Sequence, residues 1–291
     1  MARSKKRTKT ADRNTMVWLG AVVVAAAMVA AVAVVGVSHL WKGIARMDEF
    51  KVTVAHTLPS SPWLRPEPAR EDFFRTDPTG VLSRKVSLFT PGLTDEVARA
   101  YAANPWVRRV REVRKVFPNR LAVRMDVREP YALAVLGDKR CCLDHDGVVL
   151  SPAIYQLTPD RLADLGPEIA LPAGLPSPQV GAPWNEGAVQ SGLAMMRVCR
   201  EQFSDIDVRC IEIVPSVDSM GRQFAMVTLV LADGPRVEWG RAPLGPASPA
   251  EVSTPQKAAN LRAIVANEGD SLSRLRTINV RYHPTLIQTG R

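Results

Sequence analysis

The chain has 291 residues, of which 46% are hydrophobic, 6% aromatic and 23% charged. These proportions exclude wholesale disorder, and the length allows one large domain or two small ones. The net charge of +9 raises the possibility of a nucleic-acid-binding protein. Most of the excess, however, comes from six basic residues that precede the first long apolar segment: Arg3, Lys5, Lys6, Arg7, Lys9 and Arg13.

The first predicted element is a transmembrane helix over residues 16–37. No charged residue occurs between Met16 and Val37, and a helix of that length rises about 33 Å, enough to cross a hydrocarbon core of about 30 Å. Trp18 and Trp41 lie near its two ends, where interfacial aromatic residues are favoured. A cleaved signal peptide is the alternative, but its apolar region normally has about 7–15 residues.

The basic tail, residues 1–15, predicts the orientation of this helix. Many basic residues precede the helix, whereas only Lys42 and Arg46 closely follow it. The positive-inside rule therefore leaves the tail in the cytoplasm and exports the chain after about residue 38. We expect a single-pass protein of the cytoplasmic (inner) membrane, with a linker over residues 38–47 and the bulk of the chain outside the cytoplasm.

The first exported domain, residues 48–129, is predicted to be a strand, two helices and two strands. Phe50–Ala55 alternates like a strand, and Phe73–Leu88 contains a helix that starts at Asp77-Pro78 and uses Val81, Val86 and Leu88 as apolar positions. Thr94 is a suitable N-cap for the second helix.

The last two strands of this domain come from residues 107–116 and 121–127. Valine recurs every three residues from Val107 to Val116, which by itself hints at a helix, but the stretch is β-branched and leads into a Pro118-Asn119 turn. After the turn, Leu121–Val127 alternates as a half-buried strand does.

The second domain, residues 130–291, is predicted to be a mostly antiparallel β domain with flanking helices, which makes the fold class α+β. Asn185 and Thr254 mark the starts of its two helices. Proline-rich irregular stretches are expected at 58–68, 167–183 and 243–255. The predicted strands lie at 131–136, 141–143, 148–150, 210–214, 224–231, 237–239, 275–282 and 285–288.

The sequence contains few residue patterns that are typical of catalytic or metal-binding sites. It contains no Gly-x-Ser-x-Gly, no His-Glu-x-x-His and no phosphate-binding glycine loop. Cys141–Asp146 is the nearest approach to a metal site, but adjacent strand cysteines point to opposite faces, so we predict no metal and no cofactor. Cys199 and Cys210 could form a disulfide in an oxidising compartment, or remain two buried thiols.

Basic residues also cluster on the predicted strand pair of the first exported domain. A solvated sheet face is one interpretation. The other is an electrostatic docking surface for an acidic partner or for lipid headgroups. The residues assigned to that docking face are Arg108, Arg111, Arg114 and Arg124.

Several short motifs, in order along most of the chain, resemble those of the FtsQ/DivIB family of bacterial cell-division proteins. Phe117 and Asn279 stand where that family usually has tryptophan and aspartate. The motifs are Pro105-Trp106-Val107, Phe117-Pro118-Asn119-x-Leu121, Glu129-Pro130-x-Ala132, Leu143-Asp144-x-x-Gly147, Val237-x-x-Gly240-Arg241 and Ile278-Asn279-Val280-Arg281-Tyr282.

The resemblance implies a non-enzymatic scaffold of the divisome, located at the division septum. Its first domain would be a POTRA module. Its β domain would recruit bitopic FtsB- and FtsL-like partners through an exposed sheet edge, with FtsK- and FtsW-like proteins as further candidates. Tyr282 matches the family's partner-contacting tyrosine, Arg281 is its neighbour, and Leu286 and Ile287 would lie on the edge strand. No nucleic acid or small-molecule substrate is implied.

Two other function classes remain open at this stage. A membrane-anchored envelope enzyme would need a pocket with convergent polar groups. A POTRA-bearing component of polypeptide export normally continues into a membrane barrel, and no stretch here has the repeated alternation of about ten residues per strand that a barrel requires.

Overall fold

The computed structural model describes residues 8–56, 61–65, 86–217, 221–232, 234–244, 250–282 and 285–289. Its α-helices are α1 (Thr8–Arg46), α2 (Leu93–Ala102), α3 (Pro159–Ala163), α4 (Gly187–Gln202) and α5 (Thr254–Glu268). Its strands are β1 (Lys51–His56), β2 (Val86–Ser87), β3 (Val107–Val116), β4 (Arg120–Val127), β5 (Ala132–Leu136), β6 (Lys139–Leu143), β7 (Glu168–Ala170), β8 (Val208–Val217), β9 (Gln223–Leu231), β10 (Arg236–Arg241), β11 (Leu275–Asn279) and β12 (Leu286–Thr289).

The chain divides into two compact units. The first comprises Met1–Thr57, Asp77–Ala100 and Arg111–Arg124, and the second comprises Leu58–Thr76, Tyr101–Val110 and Met125–Arg291. The fold is mixed α+β, with one long apolar N-terminal helix and a large, mostly antiparallel sheet.

The N-terminal helix α1 is long and apolar enough to cross a membrane. Within Met16–Arg46, an 18-residue window has a mean hydropathy of 2.6, and none of that window is buried in the protein. The helix does not end at Val37 but continues through residues 38–46, which the sequence had assigned to a linker. The chain therefore leaves the apolar segment as a helix and reaches β1 after a short 3-10 turn at Asp48–Phe50.

The first unit holds most of a four-stranded sheet with the order β2-β1-β4-β3. β1 pairs with β2 in an antiparallel and with β4 in a parallel arrangement. The predicted alternation in β4 is confirmed, because Leu121 and Val123 are buried, whereas Ala122 and Arg124 are not. Val97 of α2 is also fully buried in this unit.

The helix expected within Phe73–Leu88 mostly lies outside the described residues. Its last turn is corrected, since Val86 and Ser87 form β2 rather than helix. Val86 pairs with Val52 of β1, so the backbone of this segment hydrogen-bonds across strands. The start of α2 also differs from the prediction. The carbonyl of Gly92, not that of Thr94, accepts the first hydrogen bonds of the helix, from the amides of Asp95 and Glu96.

The second unit is built on an eight-stranded sheet with the order β12-β11-β10-β9-β8-β7-β5-β6. Three neighbouring pairs are parallel, namely β10–β11, β7–β8 and β5–β7, and the other pairs are antiparallel. One hydrophobic core joins α4 and α5 to the sheet. The apolar face predicted for the first of these helices is confirmed, because Val189, Leu193 and Met196 are buried.

Several details of the second domain differ from the prediction; for example, β11 ends at Asn279 although the predicted strand ran to residue 282. The proline-rich stretch 167–183 is not entirely irregular, because β7 lies at its start, between β5 and β8. Val148 and Val149 form only isolated bridges instead of a strand. The α4 helix begins after Glu186 rather than at Asn185.

Candidate functional site at the sheet edge

The strand β12 is the terminal strand of the eight-stranded sheet. It pairs with β11 on one side, with Ile287 opposite Ile278 and Leu286 opposite Asn279. All four residues of β12 are exposed. An edge strand has backbone N–H and C=O groups on its outer side that a further strand can complete.

Apolar side chains occupy both faces of this edge. Ile278 is fully buried in the core, and directly opposed residues share a face, so Ile287 lies on the helix-covered face of the sheet. Leu286, the next residue, lies on the other face. Ile287 and Leu286 are 41% and 60% exposed, and Tyr282, just before the strand, is 39% exposed.

Arg281 is held by an internal hydrogen-bonding network. Its Nη2 atom donates to Glu238 Oε2 at 2.6 Å, and its amide and Nε atoms donate to Asn279 Oδ1 at 3.1 and 3.2 Å. Asn279 Nδ2 also donates to Glu238 Oε2, at 2.8 Å. The guanidinium lies 5.2 Å from the centre of the Tyr282 ring, so Arg281 orients the tyrosine.

Glu238 was missed by sequence reasoning. It is separated from Arg281 by 43 positions, and only the parallel pairing of β10 with β11 brings Glu238 opposite Asn279. The one available signal was a charged residue between Val237 and Trp239, and such a signal does not identify the partner.

The backbone conformation and close contacts at position 240 of β10 require a glycine. Its φ angle is +90°, and a Cβ atom there would lie 2.6 Å from Glu251 Oε2 and 2.8 Å from Arg281 Cδ. Glu251 Oε2 in turn accepts a hydrogen bond from the buried Lys257 ammonium at 2.6 Å. The backbone at Gly240 thus passes close to both the edge network and a buried ion pair.

The four predicted docking arginines are divided between the two units. Arg108 belongs to the second unit and forms a two-point ion pair with Asp146, with Nε–Oδ2 3.2 Å and Nη2–Oδ1 3.3 Å. Arg124 lies 4.0 Å from Glu112 in the first unit. Arg111 also has an interaction partner, and Arg114 is exposed. The docking surface stays a prediction.

The segment Cys141–Asp146 contains a buried hydrogen-bonding centre at Asp144. Its Oδ1 atom accepts from the amides of Asp146 and Val148, and its Oδ2 atom pairs with Arg128 Nη1 at 2.6 Å. Burial raises the pKa of the neighbouring Cys142 thiol to about 12, and Asp144 adds to that effect. Within the described ranges, no group of three metal-ligating side chains occurs.

All four cysteines are free thiols. Burial in the core raises the pKa of Cys199 on α4 to about 12. Cys210 alternates with the fully buried Ile211 on β8, so the Cys210 side chain lies on the opposite face of the sheet from the core. Of the two alternatives for this cysteine pair, the structure has the free thiols.

A groove of about 590 Å³ lies in the second unit beside the start of α4. Ser191 supplies a hydroxyl group, Arg222 and Arg241 supply positive charge, and Phe224 and Leu244 supply apolar surface. Among the described residues that line it there is no histidine or cysteine. The lining also includes the carboxylate of Glu186.

Comparison of the sequence with models of known protein families and with curated proteins finds no match to either.

Proposed function

We propose that the chain is a non-enzymatic, single-pass membrane scaffold of the bacterial cell-division complex, as its resemblance to the FtsQ/DivIB family implies. The long apolar helix α1 supports the membrane anchor. The α+β architecture, with a terminal β domain, supports the scaffold role. In this proposal, the basic tail is cytoplasmic, and the chain that follows α1 lies outside the cytoplasm, at the division septum.

The exposed edge at β12 is the observation that carries the proposal. Recruitment by strand addition needs a sheet edge that ordinary packing leaves uncovered, together with apolar side chains that give the pairing its affinity. β12 is terminal in the sheet and carries Leu286 and Ile287, one on each face. We assign FtsB- and FtsL-like bitopic proteins as the partners of this edge, with FtsK- and FtsW-like proteins as further candidates.

The proposed roles of the four edge residues differ. Leu286 and Ile287 would pack against alternate side chains of the added strand. Tyr282 would contact the partner with its exposed ring. Arg281 would act as a positioning residue, because its guanidinium is held by Glu238 and lies against the tyrosine.

Ile287→Glu tests the edge. A charge on the binding strand should abolish copurification of the FtsB-like partner, because the carboxylate would be desolvated in the added-strand interface. Val180→Glu is the matched control, since Val180 is a 58% exposed valine of the same unit that pairs only in an isolated bridge, with Val149. Both variants should keep the thermal unfolding midpoint of the parent. Undiminished partner binding by Ile287→Glu would end the strand-addition proposal.

Localisation tests the cell-division role separately. A fluorescent fusion to the N-terminal tail should concentrate at the division site in constricting cells. Uniform membrane fluorescence throughout division would contradict a divisome scaffold, and would favour an envelope enzyme or an export component instead.

A further inference from the structure

Four aromatic side chains form a continuous cluster at the C-terminal end of α1. The ring of Trp41 lies 5.2 Å from that of Phe89, which in turn lies 5.2 Å from Phe50 and 5.7 Å from Phe117. The rings of Phe50 and Phe117 are 6.0 Å apart. All four belong to the first unit, so the cluster joins the apolar helix to the turn between β3 and β4 within one compact body.

The topology of the four-stranded sheet explains why these residues meet. β1 and β4 run parallel, so their first residues, Lys51 and Arg120, lie at the same end of the sheet. Ser87 pairs with Lys51, which places the end of β2 there too. This end of the sheet therefore carries Phe50, Phe89 and Phe117, beside the last turns of α1.

The cluster is not an ordinary hydrophobic core. Phe117 is 66% exposed and Trp41 is 52% exposed, whereas Leu88 and Leu121 in the same unit are essentially buried. A phenylalanine that served only packing would be covered, because exposing its ring forfeits the free energy of burial. Exposed aromatic side chains next to a candidate membrane helix are typical of residues that lie at the membrane–water interface.

The position of Trp41 along α1 sets the depth of the cluster. Trp41 lies four residues, about 6 Å, beyond Val37, the last residue of the transmembrane span predicted from the sequence. The headgroup layer on each side of a bilayer is about 5–7 Å thick, so Trp41 would lie within it. Phe89 contacts Trp41, and Phe117 contacts Phe89, so the β3–β4 turn lies close to the same layer.

The charges at this end of the sheet favour an anionic surface. Lys115 and Arg120 flank the Phe117 turn and are exposed. Lys42 and Arg46 lie on the last turns of α1, and Lys51 forms an ion pair with Asp48 at the start of β1. Basic residues therefore outnumber acidic ones here, as in other segments that bind anionic headgroups.

We propose that the turn at Phe117 is a second membrane contact, inserting its aromatic ring into the leaflet at the C-terminal end of α1. Its ligand is the lipid bilayer itself, with anionic headgroups bound by Lys115 and Arg120. The first unit is thereby held against the membrane by its sheet end. The inference rests on the proposed membrane span of α1 and does not depend on the cell-division role.

Photo-crosslinking of the full chain tests this contact. Phe117 is replaced by p-benzoyl-phenylalanine, which keeps an aromatic ring at the site, and the protein is reconstituted into vesicles of phosphatidylethanolamine and phosphatidylglycerol. Irradiation should give lipid adducts at position 117, detected by mass spectrometry. Replacing phosphatidylglycerol with phosphatidylcholine should lower the adduct yield severalfold, and an unchanged yield would overturn the role of Lys115 and Arg120.

Two further label positions make the result decisive. The same photo-label in place of Val29, within α1, should give lipid adducts, and the label in place of Arg124, about 13 Å along β4 from Arg120, should give none. Adducts at 29 but not at 117 would overturn the second contact while leaving the span intact. Absence of adducts at 29 would overturn the span and the inference together. In cells, a protein adduct at 117 without lipid would overturn the lipid assignment in favour of a protein partner.

Discussion

Asp144 shows how a single side chain can organise a junction between elements. It follows β6 and is 2% exposed, yet both of its carboxylate oxygens are satisfied. Its ion-pair partner, Arg128, follows β4 and also donates from Nε to the carbonyl of Pro105 at 2.9 Å. The pair therefore connects the residue that follows β4 to the residue that follows β6.

Asp144→Ala should destabilise this junction. Removing the carboxylate leaves two backbone amides without an acceptor, and Arg128 keeps only its longer ion pair with Asp146, at 3.2 Å. The free energy of unfolding should therefore fall by about 2–4 kcal/mol. Urea unfolding of the detergent-solubilised chain measures the change. Asp138→Ala, at an exposed turn residue, is the control and should stay within about 0.5 kcal/mol of the parent. Equal stabilities of the two variants would contradict the role given to Asp144.

We predict that the four cysteines are reduced thiols in the protein. Burial raises the pKa of Cys142 and Cys199 to about 12, and it also raises the pKa of the half-buried Cys141 and Cys210. Because Cys142 and Cys199 are buried and the other two are half-buried, Cys142 and Cys199 should alkylate more slowly at pH 8 in the folded protein. After unfolding without reductant, all four should be alkylated, as counted by mass spectrometry. Two missing alkyl groups would indicate a disulfide and contradict the free thiols.

At the scale of elements, the contact between α4 and β7 depends on a glycine. A Cβ atom at Gly192 would lie 2.4 Å from Cγ2 of Ile169, a fully buried β-branched residue that has little freedom to move. The backbone of α4 can approach β7 this closely only because Gly192 has no side chain.

Gly192→Ala should therefore destabilise the second unit, although alanine is the better helix former. We expect the free energy of unfolding to fall by about 1–3 kcal/mol, the usual cost of overpacking. Gly187→Ala, in the first turn of the same helix with open space around it, should be neutral or slightly stabilising. Urea midpoints of the two variants provide the comparison, and a stabilised Gly192→Ala would show that the helix can move away from Ile169.

Much of the element content follows from local patterns. The alternation of β4, the apolar face of α4 and the hairpin of β9 and β10 are all visible in short windows of sequence. β3 is confirmed as a strand despite its three-residue valine period, because β-branching and the following turn outweigh the period.

The elements and contacts that the sequence did not reveal depend on distant residues. β7 has only three residues and lies in a proline-rich stretch, and it is a strand because β5 and β8 flank it on both sides. Val86 pairs with β1 for the same kind of reason. The same holds for the candidate site. The apolar residues at 286 and 287 can be predicted from the sequence, whereas the contact between Glu238 and Arg281 can be predicted only once the strand order is known.

At the scale of the whole molecule, the excess positive charge has an uneven distribution with distinct consequences. The basic residues before Met16 bear on the orientation of α1. Others, such as Arg108, Arg128 and Arg281, form ion pairs within the second unit. The high net charge is thus compatible with a membrane protein, and nucleic acid is not needed to account for it.

The orientation itself is open to a direct test. Alkaline phosphatase fused after Arg291 should be active in cells, because the proposed topology exports the C-terminus, and the same enzyme fused before Met1 should be inactive. Changing the six basic residues of the tail to glutamine leaves none before the span against Lys42 and Arg46 after it, which reverses the difference in basic residues. The C-terminal fusion should therefore lose part of its activity without loss of expression. Changing Lys42 and Arg46 to glutamine is the matched control, because it increases the same charge difference and should preserve activity. An inactive C-terminal fusion together with an active N-terminal one would reverse the topology and place the β12 edge in the cytoplasm, where the proposed extracytoplasmic partners could not reach it.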